Sequence, residues 1–108
     1  MLRLDCFIRF SSALDLPSVA ALISKRLFGG LPFVKTDEFD EMEGMRLEQE
    51  VLMLHVCVYG ASPNFALTIS TNFAFYRKPD WSHIEHVNIC SYIEESLASL
   101  NQIQIVPT

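Results

Sequence analysis

The chain has 108 residues, half of them apolar and 19% charged, with a net charge of −5; that length fits one globular domain and the composition excludes a disordered chain. A chain of this size buries about two thirds of its unfolded surface, enough for a core without metal or disulfide staples. No apolar run reaches the roughly 18 residues needed to span a bilayer, and Arg3, Asp5 and Arg9 interrupt the opening MLRLDCFIRF too often for a signal-peptide core.

Residues 2–10 alternate, with Leu2, Leu4, Cys6, Ile8 and Phe10 on one face, which predicts a half-buried strand. Asp15 and Pro17 then suit a helix start. Leu16, Val19, Ala20, Ile23 and Leu27 follow at helical spacing, Lys25 and Arg26 sit near the end, and Gly29-Gly30 stops the helix. LPFVK (31–35) is a short strand candidate, followed by the acidic segment 36–50. VLMLHVCVY (51–59) is apolar on nearly every residue. It predicts a central strand covered on both faces, or packed on helices by one face and on a partner by the other. A turn cluster at 60–64 precedes an alternating stretch from Phe65 to Tyr76, expected to be one long strand. Ser82-His83-Ile84-Glu85 matches a capping box, with Asp80 as an alternative cap. The helix it predicts carries Ile89, Cys90, Ile93, Leu97 and Leu100 on one stripe. Ile103 and Ile105 suggest a last edge strand. The order β-α-β-β-β-α-β predicts an α+β fold: a single, mostly antiparallel sheet of four to five strands with two helices on one face, spanning residues 1–108 as one domain.

Catalytic chemistry finds little support in the residues. Cys6, Cys57 and Cys90 form no C-x-x-C pair, are odd in number and lie in apolar surroundings, which reads as buried thiols in a reducing cytosol. His83, His86 and Cys90 fall at i, i+3 and i+7 near the expected helix start, yet they lack the fourth ligand of a structural zinc site. His55 and Cys57 share a strand face, but about 7 Å of spacing predicts no direct hydrogen bond, leaving a satisfied buried histidine. Trp81, Phe73, Phe75 and Tyr76 beside Arg77-Lys78 make too small a basic patch for a nucleic-acid platform. There is no G-x-S-x-G, Walker loop or G-x-G-x-x-G. The expectation is a protein that is not an enzyme and has neither cofactor nor metal.

Charge is the uneven quantity. The chain holds 13 acids and 8 bases; residues 37–50 take seven of the acids and one base, so this segment carries −6 and the remainder +1. Such an excess disfavours nucleic acid phosphates and anionic membranes as direct partners. Phe39, Met42 and Met45 interleave with the acids, as apolar anchors do within a charged interface rim. The local field speeds encounter with a cationic partner. The candidate partner-binding residues are therefore Asp37, Glu38, Asp40, Glu41, Glu43, Glu48 and Glu50, with Phe39 and Met42 as anchors.

The stretch PFVKTDEFDEMEGMRLEQEVLMLHVCVYG, an acid-rich segment running into a greasy strand, resembles in layout the bacterial immunity proteins that neutralise polymorphic toxins. Those of contact-dependent growth inhibition systems are the nearest in character. The resemblance implies a cytoplasmic immunity protein, an antitoxin that binds a cognate toxin domain with a basic surface, often a nuclease. It carries no diagnostic motif, so no residue role comes with it. The alternative is a non-catalytic adaptor or small subunit, which predicts an exposed apolar face around 51–59 and self-association. A small hydrolase or metal enzyme using His55, His83 or His86 is the third reading.

Overall fold

The structure, a computed structural model, describes residues 2–39, 41–72 and 85–107. The opening alternation becomes strand β1 (Leu2–Ser11). Cys6, Ile8 and Phe10 are buried, whereas Phe7 and Arg9 between them are exposed. Helix α1 (Leu16–Leu27) starts where Asp15 accepts the Ser18 N–H at 2.9 Å, with Pro17 in its first turn. At its end the Phe28 and Gly30 N–H groups both donate to the Ser24 carbonyl, at 2.7 and 3.1 Å. Gly29 and Gly30 adopt φ of 64° and 84°, conformations that favour glycine.

The acidic segment is folded as a hairpin. β2 (Phe33–Thr36) pairs antiparallel with β3 (Gly44–Leu47), Phe33 opposite Leu47 and Thr36 opposite Gly44. Residues 37–43 connect the two strands. β4 (Leu54–Ala61) and β5 (Asn64–Thr71) follow as a second hairpin, then β6 (Glu85–Asn88), α2 (Cys90–Leu97) and β7 (Gln104–Ile105). The described residues build one seven-stranded sheet in the order β2-β3-β4-β5-β1-β6. β6 runs parallel to Leu2–Asp5, and β7 runs antiparallel to Phe10 and Ser11, so both lie along β1. The remaining neighbours are antiparallel.

Both helices cover one face. Ile8, Phe10, Val56, Val58, Leu67 and Ile69 from the strands meet Val19 and Ile23 of α1 and Ile93 and Leu97 of α2 in one cluster. Each such side chain contributes about 1.5–3 kcal/mol by leaving water. Arg26 Nε adds a link between the helices, donating to the Ser96 carbonyl at 2.8 Å.

The α+β class, the mostly antiparallel sheet and the two helices agree with expectation, while the sheet has more strands than the four to five expected. β3 is one addition, cut from the acidic segment. β6 is another, where the capping pattern predicted a helix. Residues 82–84 lie outside the described residues, but Glu85–Asn88 is extended and α2 begins only at Cys90, whose N–H is accepted by Asn88 Oδ1 at 2.8 Å. The outer edge of β1 carries backbone groups that need partners, and satisfying them outweighs a local helix signal.

The strand expected from Val51 starts at Leu54 instead. Leu52 and Met53 take φ of 53° and 59°, and the Leu54 N–H donates to the Val51 carbonyl at 2.9 Å. That is a tight turn of the type that joins antiparallel strands. The long strand expected to reach Tyr76 is described as far as Thr71; residues 73–76 lie outside the described residues.

Candidate functional site

Register fixes what the helix-free face presents. His55 sits opposite Ser70, Cys57 opposite Thr68 and Tyr59 opposite Ala66, while Ser70 and Thr68 lie opposite Asp5 and Phe7 on the far side. Val56 and Val58 point to the helices; His55, Cys57 and Tyr59 point away from them. Their face is nevertheless roofed. The 37–43 connection folds back over it, with the Phe39 ring stacked on Tyr59 at 4.1 Å between centroids. Gly44 leaves the room for that ring, since a Cβ there would meet Phe39 Cδ2 at 2.5 Å. The Gly60 N–H donates to the Glu43 carbonyl at 3.0 Å and holds the far end of the connection on β4. This roof explains why 54–59 is apolar on both sides without a second helical layer.

Beneath it the structure assembles residues that the sequence spacing keeps apart. His55 Nε2 lies 2.7 Å from Glu38 Oε1 and 3.3 Å from Cys57 Sγ, and the thiol is 3.5 Å from Glu38 Oε2. The expectation of no contact between His55 and Cys57 is thus corrected. About 7 Å separates attachment points two residues apart on a strand, but the imidazole and thiol lean together along the strand direction. The histidine is satisfied, as expected, yet half-buried, and it has carboxylates on both sides. Glu50 Oε1 stands 3.7 Å from His55 Nδ1 and accepts from Asn72 Nδ2 at 2.6 Å. The other Glu50 oxygen is buried with no hydrogen-bond partner among the described residues.

Burial pushes the Glu38 carboxyl up, but hydrogen bonds from His55 and Thr36 outweigh it and hold the group below its ordinary value. Burial, reinforced by the Glu38 charge, pushes the Cys57 thiol up to about 12, and Arg46 offsets only part of this. A nucleophilic thiolate is therefore not what this arrangement supplies. Nor is it a relay, because one nitrogen, Nε2, meets both the thiol and Glu38.

The partner-binding candidates divide into groups. Glu38 and Glu50 turn onto His55. Phe39 is half-buried on Tyr59. Asp40 lies outside the described residues. Asp37, Glu41 and Glu43 are exposed at the hairpin tip, Glu48 is exposed at the other end of β3, and none of the four forms an ion pair among the described residues. Met42, at the tip, is 50% exposed. It borders a cavity of about 420 Å³ lined by Asp37, Glu41 and Glu43 together with Lys35. It also borders a groove on the helix-free face lined by Phe7, Tyr59 and Val106 together with Arg9.

The other sequence candidates are dispersed. His86 is on a strand, not a helix, and its Nδ1 lies 3.0 Å from Asp5 Oδ2. Cys90 opens α2 with its sulfur 2.7 Å from that of Cys6. His83 lies outside the described residues, as do Phe73, Phe75, Tyr76, Arg77, Lys78 and Trp81. The cysteines are free thiols, two buried and Cys90 partly so, but Cys57 has polar neighbours where apolar ones were expected. No helix among the described residues is long and apolar enough to cross a membrane. In comparisons with known proteins, the chain matches no family model, no curated protein and no solved structure.

Proposed function

We propose that the chain is a protein-binding domain whose acidic hairpin tip docks on a cationic protein surface. The form we favour is an immunity protein acting in the cytoplasm, neutralising a cognate toxin domain of nuclease type. A nuclease must hold phosphate, so its cleft presents the positive charge that an acidic tip complements. One observation carries the reading: Met42 stands half-exposed among Asp37, Glu41 and Glu43, beside a groove lined by Phe7, Tyr59 and Val106. Exposed apolar groups at the centre of a charged rim are how stable interfaces are built. The adaptor reading needs an open apolar face at 51–59, and there only Leu52 and Met53 are exposed large apolar side chains, at 83% and 39%.

The test is to identify the product of the reading frame upstream of this chain, expected to be a large secreted protein with a variable C-terminal domain, and to co-purify that domain with the chain, followed by association kinetics at several salt concentrations. Asp37→Asn, Glu41→Gln and Glu43→Gln together should lower the association rate about tenfold or more at low salt and flatten its salt dependence. Met42→Ala should act on dissociation instead. Absence of a complex, or an association rate unmoved by the triple change, would overturn the reading.

A further inference from the structure

We propose that Glu38, His55 and Cys57 form a three-ligand site for a divalent cation of the zinc class, supported from behind by Glu50 and Asn72. Cys57 is 1% exposed yet aims its sulfur at an imidazole nitrogen and a carboxylate. Packing alone does not ask for this; a small apolar side chain would fill the space without polar neighbours. Imidazole, thiolate and carboxylate are the three ligand types that zinc takes.

The spacing agrees. Zinc bonds of about 2.0–2.3 Å at tetrahedral angles place neighbouring ligand atoms roughly 3.3–3.6 Å apart. Sulfur to nitrogen is 3.3 Å and sulfur to Glu38 Oε2 is 3.5 Å, so these two edges of the tetrahedron already match. The other carboxylate oxygen, Oε1, holds His55 Nε2 at 2.7 Å, and one ligand atom from each of the three residues lies within 4.8 Å of the other two. The glutamate side chain is 43% exposed and has room to turn one oxygen to the cation as that hydrogen bond is given up. Because His55 is also 29% exposed, the fourth corner falls to water or to an atom of an incoming ligand, the arrangement of an open rather than a closed site.

The surroundings complete the pattern. When His55 gives its Nε2 lone pair to a cation, its proton must sit on Nδ1, which faces Glu50 at 3.7 Å. A carboxylate behind a metal-bound histidine fixes the tautomer and strengthens the ligand. Asn72 in turn orients that carboxylate through its 2.6 Å hydrogen bond. On binding, the Cys57 S–H proton leaves to solvent, sulfur coordinates as thiolate, and the Glu38–His55 hydrogen bond is exchanged for two metal bonds.

The probe is cobalt(II), titrated into the full chain under reducing conditions and then displaced by zinc. The expected result is a sulfur-to-cobalt charge-transfer band that saturates at one equivalent and disappears with zinc. Cys57→Ser should abolish the band, and Cys90→Ser, whose sulfur meets Cys6 and the Phe7 backbone away from this cluster, should retain it. Glu50→Gln should keep the band while weakening affinity about 10–100-fold. Should Cys57→Ser fail to fold by circular dichroism, Glu38→Gln on the exposed connection takes its place and should weaken affinity at least tenfold. No band in the wild type, a band unchanged in folded Cys57→Ser, or affinity unmoved by Glu38→Gln would overturn the proposal. None of these readouts depends on a protein partner.

Discussion

Leu52 and Met53 share one unusual backbone conformation, and substituting them should produce different outcomes. At φ of 53° and 59° both side chains sit in the left-handed region, which costs an ordinary L residue about 1–2 kcal/mol. Leu52 is 83% exposed. Full burial of a leucine is worth about 1.5–3 kcal/mol, so its small covered part is worth under roughly 0.5 kcal/mol. Asparagine tolerates this conformation best after glycine. Leu52→Asn should therefore stabilise by about 0.5–1 kcal/mol and raise Tm by roughly 2–5 °C. Met53 is only 39% exposed, so Met53→Gly gives up about 1–2 kcal/mol of burial. A further 0.5–1 kcal/mol or so goes to the freedom of glycine in the unfolded chain. These losses cancel or exceed the relief of strain, and the change should be neutral to mildly destabilising. Urea unfolding with a shared slope reads both. A loss of more than about 1 kcal/mol in Leu52→Asn, or an equal gain in Met53→Gly, would refute the balance of strain against burial argued for this turn.

Three further expectations test other parts of the fold. Leu67→Ala, at a fully buried position on the helix-covered face, should cost about 2–5 kcal/mol. Phe7→Ala on the neighbouring strand's other face, where the ring is 45% exposed, should cost clearly less; equal losses by urea unfolding would mean the faces are misassigned. Gly44→Ala drives a methyl into the Phe39 ring and should forfeit a stack worth about 0.5–1.5 kcal/mol. Hydrogen exchange at the Gly60 amide, which donates to Glu43, should quicken with it, and unchanged exchange would speak against a roof held by that ring. Acid sensitivity follows from two aspartates. Burial pushes Asp5 up, but His86 and Arg3 together pull it below its ordinary value, and hydrogen bonds from Ser18 lower Asp15. With folded values below the unfolded one of about 3.9, their contribution is complete above that pH and is lost as pH falls through the folded values. Asp5→Asn with Asp15→Asn should flatten the decline of the urea midpoint between about pH 4.5 and 2.5; an unaltered decline would remove both groups from the account.

The parts of the fold written in local chemistry were legible. Alternation in Leu2–Ser11, the Asp15 cap and the Gly29-Gly30 stop each depend on neighbours in sequence, and the α1 and β1 assignments follow from them. β6 was not legible, because Glu85–Asn88 is a strand only by virtue of the β1 edge it pairs with. The strained turn was hidden for a similar reason. Leu52 and Met53 carry no turn chemistry of their own, and the flanking pairing imposes the conformation on them. The Glu38–His55–Cys57 cluster needed the hairpin to fold back over the sheet, a contact across 17 and 19 residues. A signal was present even so: a cysteine and a histidine two apart in a strand that is apolar on both sides, following a run of carboxylates.

The way the fold divides the six described acids of this segment decides where their electric field lies. Glu38 and Glu50 face His55, which leaves less negative charge open to solvent. Asp37, Glu41 and Glu43 remain exposed at one end of the hairpin, with Glu48 across the length of β3. Five residue steps of strand put Glu48 about 16 Å from Glu43 along the chain, twice the Debye length of about 8 Å at physiological salt. The tip and Glu48 are then electrostatically separate to an approaching protein. Glu48→Gln should leave the association rate with a basic partner within about twofold of wild type, while Glu43→Gln alone slows it measurably at low salt. If the two single changes slowed association equally, the attractive surface would be the whole segment rather than the tip, and Met42 would lose its place at the centre of the interface.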